Sequence, residues 1–292
     1  MEQRNAPFRG ASSARRNLNT FRRVLRNPLT ASGLAILLVL AVAAVFQGSL
    51  APYDPLVLDL PNRLSPPSAA HLMGTDNFGR DILSRIIYGA RITLVMTVTV
   101  VLTGSFIGSL VGVAAGYVGG WFQEVVMRIT DIFMAFPAVL LAMVIVTALN
   151  PGLFNAGLTL VIVNWPEYAR VMRGQTLSLV QNEYVTAARA AGAGRWRIML
   201  RHIFPNCVGP LIVQATINLG VTALSFAALG FLGLGAQAPS PEWGLMISNG
   251  RKYFLDAPWF PVFPGLAIAL TVLAFNFLGD GLRDILDPRA RR

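Results

Sequence analysis

Residues 183–206 read EYVTAARAAGAGRWRIMLRHIFPN and separate two strongly hydrophobic regions of the chain. The alanines in the first half of this segment are strong helix formers, and Gly192 then provides a stop. Four arginines give the segment positive charge: Arg189, Arg195, Arg197 and Arg201. A polar loop between hydrophobic segments is normally short or irregular. A compact basic helix in this position therefore indicates a docking surface for a partner protein.

Outward from this segment, the chain has the composition of a membrane protein. Hydrophobic residues make up 54% of it and charged residues 13%, whereas a soluble domain has about 25% charged residues. A helix that spans a membrane needs about 20 apolar residues. Windows of that length without a charged residue occur at 27–53, 92–123, 132–166, 202–241 and 257–279.

The window at 132–166 is too long for one helix, and Asn150-Pro151-Gly152 is expected to break it in a turn. We therefore predict an all-α integral membrane protein with six transmembrane helices. The fourth helix is the least apolar, because it carries Glu167, Arg170 and Arg173. The predicted spans lie near 29–50, 91–117, 122–148, 153–175, 207–234 and 259–282.

The distribution of basic residues predicts the orientation. An even number of spans places both termini on one side, which then holds 18 of the 24 Lys and Arg residues and leaves 6 on the other. The arginine-rich side is expected to be cytoplasmic. The net charge of +10 is thus explained by topology. Binding to nucleic acid would instead require the basic residues to share one soluble face.

The chemistry of an enzyme is not evident in the sequence. Lys252 is the only lysine and follows Arg251, so no phosphate-binding loop of the Walker type is present. His71 and His202 lie on opposite predicted sides of the membrane, which argues against a metal site or a catalytic triad. The single cysteine, Cys207, is interpreted as a small buried residue.

Ion-coupled transport is a second hypothesis, because ionisable residues within a membrane are often functional. The candidates are Asp131, Glu167 and Asp280. Each has an arginine three residues away in sequence, at Arg128, Arg170 and Arg283 respectively. Structural pairing with these neighbours is favoured over a proton relay.

The segment at 183–206 also carries a family likeness. Thr186-Ala187-Ala188 is followed by Gly192, and Pro205 stands near the end. This order resembles the EAA loop of ABC-importer permeases, in which a short cytoplasmic helix docks into a groove of the ATPase subunit.

The chain departs from the family pattern at Thr186, His202 and Phe204, where the family has glutamate, isoleucine and leucine. Glu183, one helical turn before Thr186, is placed to supply the negative charge instead. The resemblance assigns ATPase docking to Glu183, Thr186, Ala187, Ala188, Arg189, Gly192, Arg195 and Pro205.

Further blocks resemble the peptide and nickel branch of this superfamily, the dipeptide and oligopeptide permeases of the C type. They are HLMGTDNFGRDILSRIIYGAR (71–91), AGYVGGWFQEVVMRITDIFMAFP (115–137), LGFLGLGAQAPSPEWGLMI (229–247) and LTVLAFNFLGDGLRDILDPR (270–289). The resemblance extends over nearly all of the chain from about Phe21 onward.

The resemblance implies a type I ABC-importer permease, with a core of five helices preceded by an N-terminal span. It implies a sister permease in a heterodimer, two ATPase subunits that carry ATP and Mg²⁺, and an extracytoplasmic binding protein. It places the chain in the inner membrane of a bacterium, with both termini cytoplasmic and no cofactor of its own. The implied segments are the N-terminus 1–28, first span 29–50, outer loop 51–90, core 91–282 with docking loop 176–206, and tail 283–292.

Two further groups of residues are candidates for contacts. Asp76–Arg80 and Asp81–Arg85 are predicted ion pairs on a surface helix at 74–85, where Asp76, Arg80 and Asp81 are candidate contacts to the binding protein. In a second outer loop, at 239–243, Trp243 is a predicted interfacial anchor, and Glu242 and Trp243 are further candidate contacts. Small residues four apart allow helices to approach closely, which predicts packing inside the permease dimer at Gly104, Gly108, Gly112 and Gly116.

The transported solute is the least determined property. Dipeptides or oligopeptides are the leading hypothesis, with glutathione and nickel chelates as alternatives. The predicted pathway has no cluster of Cys, His and acidic residues suited to a naked Ni²⁺ ion, which favours peptides.

Overall fold

The computed structural model describes residues 27–286, which form helices and connecting loops without a β-strand in that range. The predicted all-α class is confirmed. The arginine-rich segment at 1–26 and the tail from 287 onward lie outside the described residues. The principal helices are α1 (Pro28–Val45), α2 (Ile82–Val118), α3 (Gly120–Ala135), α4 (Ala138–Leu149), α5 (Leu153–Val180), α6 (Glu183–Ala190), α7 (Phe204–Phe231), α8 (Trp243–Gly250) and α9 (Trp259–Leu286).

Four helical segments are both long and apolar enough to cross a membrane: Pro28–Val45, Ile82–Val118, Arg195–Phe231 and Trp259–Asp284. Helices α3 and α4 would form a fifth span together, although they meet at an angle of 96°. The remaining predicted span, α5, has 28 residues but contains three charged ones. Length and composition thus support four or five of the six predicted spans.

Helix α2 begins nine residues earlier than predicted, so the outer loop is shorter than 51–90. Its N-cap is Asp81, whose carboxylate accepts a hydrogen bond from the backbone N–H of Ser84 at 2.8 Å. The helix has 37 residues and is about 55 Å long. Because the hydrocarbon core of a membrane is about 30 Å thick, α2 must extend beyond it.

Proline explains two irregularities of the helices that were not predicted from the sequence. Pro137 lacks a backbone N–H and separates α3 from α4 at the 96° bend. Before α7, the helical turn Arg195–Ile198 passes into a π-helical turn at Met199–Ile203. Pro205 follows that turn, and its ring would clash with the Arg201 carbonyl in a regular α-helix. The connection after α5 also starts at residue 181, so 176–180 are not part of a loop.

Helix α2 lies at the centre of the bundle and packs most extensively against α5. Helix α7 contacts α5 and α9, and α9 in turn packs against α1. One end of the bundle carries the loop at 51–81 together with α8. The opposite end carries α6 and the junctions between α2 and α3 and between α6 and α7. We call these the outer end and the inner end.

Candidate functional site

Helix α6, at the inner end, exposes the predicted docking residues. Its one buried side chain is Val185, and Ala188 is half-buried. The remaining candidates from the sequence are all exposed: Glu183, Thr186, Ala187, Arg189, Gly192, Arg195 and Pro205. The structure therefore brings one continuous stretch of these residues to the surface, while Val185 fixes the helix to the bundle.

Val185 belongs to a buried group that we call the inner cluster: Val113, Met172, Val185, Ile198, Met199, Ile203 and Cys207. These residues come from α2, α5, α6 and the start of the helix that continues into α7. A displacement of α6 must therefore either move these helices or empty the inner cluster. The cluster also accounts for Cys207, which is buried as the sequence predicted.

The end of α6 is closed by local geometry. Gly192 has a φ of +79°, a value that favours glycine. The backbone N–H of Ala193 donates to the carbonyl of Ala188 at 3.1 Å, and that of Gly192 donates to Arg189 at 3.0 Å. These bonds form a helix C-cap of the Schellman type. The Arg189 guanidinium also lies 5.7 Å from the ring centroid of Tyr117, near the end of α2.

Apolar side chains on the same surface were missed in the sequence. Trp196 is 71% exposed, and Leu200 and Tyr184 are 50% and 40% exposed. Large aromatic residues are frequent anchors at protein interfaces. The sequence did contain one signal for these exposed apolar residues, a tryptophan that stands between two arginines in a polar loop. The exposed surface of α6 and residues 195–201 thus combines positive charge with apolar anchors, and we call it the docking surface.

The prediction of a surface helix at 74–85 is wrong, because the helix begins only at Ile82. Residues 74–81 form a hydrogen-bonded loop in which Asp76 and Arg80 are 0% and 4% exposed. Asp76 accepts hydrogen bonds from the backbone N–H groups of Phe78 and Arg80, and from Arg80 Nε at 2.7 Å. The predicted Asp76–Arg80 pair is therefore present, but it holds a buried loop together.

The predicted Asp81–Arg85 pair is also wrong. Arg85 Nε lies 3.6 Å from Asp76, and the Arg85 guanidinium donates to the carbonyls of Pro55 and Ser240. Asp81 caps α2 and contacts His71 Nδ1 at 3.0 Å. Both arginines of this region thus converge on Asp76, because the fold brings distant loops together around it.

Glu242 and Trp243 are fully buried, so Trp243 is not an interfacial anchor. Trp243 Nε1 donates to the carbonyl of Ile86 at 3.1 Å. Glu242 caps α8 by accepting from the N–H groups of Gly244 and Leu245, each at 2.7 Å. None of the five candidate binding-protein contacts presents a side chain to a partner in this conformation, because all five brace the loops of the outer end.

The buried Glu242 predicts a pH dependence of stability. Burial raises its pKa from 4.5 to about 7, although the two backbone hydrogen bonds act against this shift. Between these two pKa values the folded state holds a proton that the unfolded state releases. The stabilisation of the folded state by this group is complete below pH 4.5 and is lost as the pH rises through 7, by at most about 1.4 kcal/mol per pH unit.

We expect the melting temperature to fall between pH 5.5 and 8, and we expect Glu242→Gln to flatten this slope. Glu183→Gln, at the opposite end, is the control, and an equally steep slope in Glu242→Gln would contradict the assignment.

The predicted glycine series packs within this chain, between α2 and α5. A Cβ atom added at Gly108 would overlap the Trp165 carbonyl, and one at Gly112 would overlap the Ala169 carbonyl. At Gly116 it would lie 2.8 Å from Cβ of Thr176. The packing at Gly104 is looser, because the nearest atom to an added Cβ would be a ring carbon of Tyr168 at 3.6 Å. The close approach is therefore made to α5 of the same subunit, whereas the sequence suggested packing inside a dimer.

The candidate ion-relay carboxylates are not paired as predicted. Asp131 accepts from Arg170 at 2.5 Å, and Glu167 accepts from Asn218 Nδ2 at 2.8 Å. Asp280 is exposed near the end of α9. Asp131 and Glu167 thus each contact a residue from another helix. Within residues 27–286, no group of three or more His, Cys, Asp or Glu side chains is arranged to hold a metal ion.

The comparison with known families decides the class of protein. Residues 104–292 match the family described as the binding-protein-dependent transport system inner membrane component. The chain belongs to this family. Residues 19–67 match the N-terminal transmembrane domain of oligopeptide transport permease C. The permease is therefore a multi-pass inner-membrane protein of an ABC importer, as the resemblance implied.

Similar proteins agree with this assignment. The permease is 47% identical to the probable D,D-dipeptide transport system permease protein of Escherichia coli strain K12, over 90% of this chain and 89% of that protein. It is 46% identical to the dipeptide transport system permease protein of Alkalihalophilus pseudofirmus, over 93% and 89%. It is 45% identical to the glutathione transport system permease protein of Pectobacterium atrosepticum, over 93% and 90%.

A solved structure shares the fold. It is a chain of the MetNI methionine ABC transporter in inward facing conformations, with a TM-score of 0.55 and 25% sequence identity. The match covers 70% of the permease and 97% of that chain. Membership of an ABC-importer family implies an ATPase and a substrate-binding protein as partners of the permease.

Proposed function

We propose that this permease forms half of the translocation pathway of an ATP-driven importer of dipeptides or oligopeptides, and that α6 couples it to the ATPase. A sister permease would supply the other half, and two ATPase subunits would carry ATP and Mg²⁺. The observation that carries the proposal is the docking surface, an exposed helix whose one buried side chain is fixed in the inner cluster. The inner end would then face the cytoplasm, together with both termini.

The geometry supports coupling through α6 because the helix is short and braced. Val185 is packed among residues of α2, α5 and the start of α7, and Gly192 closes the helix end. Protein interiors are tightly packed and transmit displacements. A movement of an ATPase held on the docking surface would therefore reach three long helices through one side chain and its neighbours.

The substrate class rests on the similar proteins, which are named for dipeptides, D,D-dipeptides and glutathione. All of these solutes are short peptides with free carboxylates. Glutathione remains the alternative within this class, and a nickel chelate lies outside it. An ion-coupled carrier is disfavoured, because Asp131 and Glu167 are held by partners from other helices.

The proposal is tested in cells that express the complete importer with a tag on this permease. We would purify the tagged protein in mild detergent, identify the bound subunits, and measure uptake of labelled dialanine and of labelled glutathione in the same cells. Co-purification of an ATPase and a second permease, with ATP-dependent uptake of dialanine, is the expected result. Recovery of the permease alone with ion-dependent uptake, abolished in Asp131→Asn or Glu167→Gln, would overturn it.

A single substitution on the docking surface should separate docking from folding. Ala187 is exposed on α6, and Ala187→Arg adds bulk and charge without disturbing the inner cluster. We expect it to reduce both the recovered ATPase and the uptake by at least about ten-fold, as for an interface hot spot. Ser178→Arg adds the same side chain at an exposed position of α5 and should preserve both. Equal loss in the two variants would show that the effect is not specific to α6.

A further inference from the structure

A cavity of about 480 Å³ opens at the inner end between α3 and α5. This volume falls within the range of about 300–1,000 Å³ for ligand sites. Its charged lining consists of Glu124, Arg128, Asp131, Arg170 and Arg173. The cavity adjoins the junction of α2 and α3, and Arg173 approaches Gly116 near the end of α2. It therefore lies on the arginine-rich side of the bundle, and its lining contains no residue of the docking surface.

The charges in this cavity are not balanced by the described residues. Asp131 is paired with Arg170 at 2.5 Å. Within residues 27–286, neither Arg128 nor Arg173 forms a salt bridge. Glu124 is the one remaining carboxylate of the lining. Two guanidinium groups thus face the cavity with one carboxylate to offset them.

Arg173 adds a second observation. Its Nε atom is buried and has no hydrogen-bond acceptor among residues 27–286. Buried polar groups in proteins are almost always hydrogen-bonded, because an unsatisfied one is unfavourable. A guanidinium group matches the oxygen atoms of a phosphate or carboxylate with two parallel hydrogen bonds. Arg128 and Arg173 line the cavity and therefore supply donors for an anion, and neither guanidinium has a carboxylate partner among residues 27–286.

We propose that this cavity binds the phosphate headgroup of an anionic phospholipid from the inner leaflet. Arg128 and Arg173 donate to the phosphate, and the Asp131–Arg170 pair forms one wall of the site. Basic pockets between transmembrane helices on the cytoplasmic side are suited to such headgroups, which are concentrated in that leaflet. The bound lipid would join α3 to α5 and so stabilise their contact at the inner end.

The test is native mass spectrometry of the purified permease complex, titrated with phosphatidylglycerol or with phosphatidylcholine of the same acyl chains. We expect the wild type to bind phosphatidylglycerol more tightly. The double variant Arg128→Gln with Arg173→Gln should bind it about 30-fold more weakly, since each arginine near an anionic headgroup contributes about a five-fold effect. Arg283→Gln, an exposed arginine at the same end but outside both the cavity and the docking surface, should leave the affinity within about two-fold.

A third variant acts in the opposite direction and does not depend on removing an arginine. Glu124→Gln eliminates the competing carboxylate, and we expect it to bind phosphatidylglycerol about five-fold more tightly. Failure of both the weakening and the tightening, in variants with an unchanged melting temperature, would overturn the proposal.

Two other outcomes would also overturn it by identifying a different occupant. Binding of dialanine, but not of dialanine amide or phosphatidylglycerol, would assign the cavity to the carboxylate of the transported peptide. Release of a second permease by the double variant, with lipid binding unchanged, would assign the arginines to a subunit interface. Either result leaves the docking experiment on Ala187 unaffected, so the proposed function and this site fail separately.

Discussion

Replacing Gly112 by alanine is expected to lower the melting temperature of the permease by roughly 2–5 °C, from a loss of about 1–3 kcal/mol. The added Cβ atom would overlap the carbonyl of Ala169 and lie 2.9 Å from both Cα of Ala169 and Cβ of Met172. Most of these atoms belong to the backbone of α5 or stand directly on it, so they cannot rotate away. Relief requires α2 and α5 to separate, and these helices share the largest contact in the bundle.

The matched control for this prediction is Gly104→Ala in the same helix. There the nearest atom to the new Cβ would be a ring carbon of Tyr168 at 3.6 Å, an ordinary van der Waals contact. Both substitutions change helix propensity equally, so the difference between them isolates the packing. Thermal melting of the two purified variants in detergent measures it. Equal melting temperatures would show that α2 and α5 are not packed as closely as described.

Removing the Asp76 carboxylate should have a comparable or larger effect at the outer end. Asp76→Ala leaves two buried arginines, Arg80 and Arg85, without their shared carboxylate. It also removes the acceptor for the N–H groups of Phe78 and Arg80. Breaking a buried ion pair on one side costs about 3–5 kcal/mol. We expect this loss in the free energy of unfolding, followed by denaturant titration.

The control for Asp76 is Asp256→Ala, which removes an exposed carboxylate from another loop at the same end. A surface substitution of this kind changes stability by about 0.5 kcal/mol or less. Asp76→Asn keeps an oxygen for the backbone N–H groups and loses the negative charge, so it should lie between the other two. If Asp76→Ala is as stable as Asp256→Ala, the buried pair contributes nothing to the fold.

The sequence predicted the features that depend on local chemistry. Helix α6 was found because alanine favours a helix and Gly192 ends it, and both effects act within a few residues. The helical class followed from windows of apolar residues. The sequence also contained Phe136-Pro137, which marks the bend between α3 and α4, but the length of the apolar window concealed it.

What the sequence did not predict depends on distant residues. Asp131 was expected to pair with Arg128, three residues away, and its partner is Arg170, 39 residues away. Arg85 was expected to pair along its own helix, and it instead reaches Ser240, 155 residues away. The burial of Glu242 and Trp243 has the same origin. A polar sequence cannot show that another loop will cover it.

The bend between α3 and α4 restricts which face of the subunit meets lipid. Pro137 cannot donate a backbone hydrogen bond, so the last turn of α3 is left with carbonyl groups that need another donor. Hydrocarbon supplies none, and irregular backbone at membrane depth is tolerated only against protein or water. Residues 135–140 are exposed on this subunit. The bend itself must therefore be wetted or covered by a neighbouring subunit.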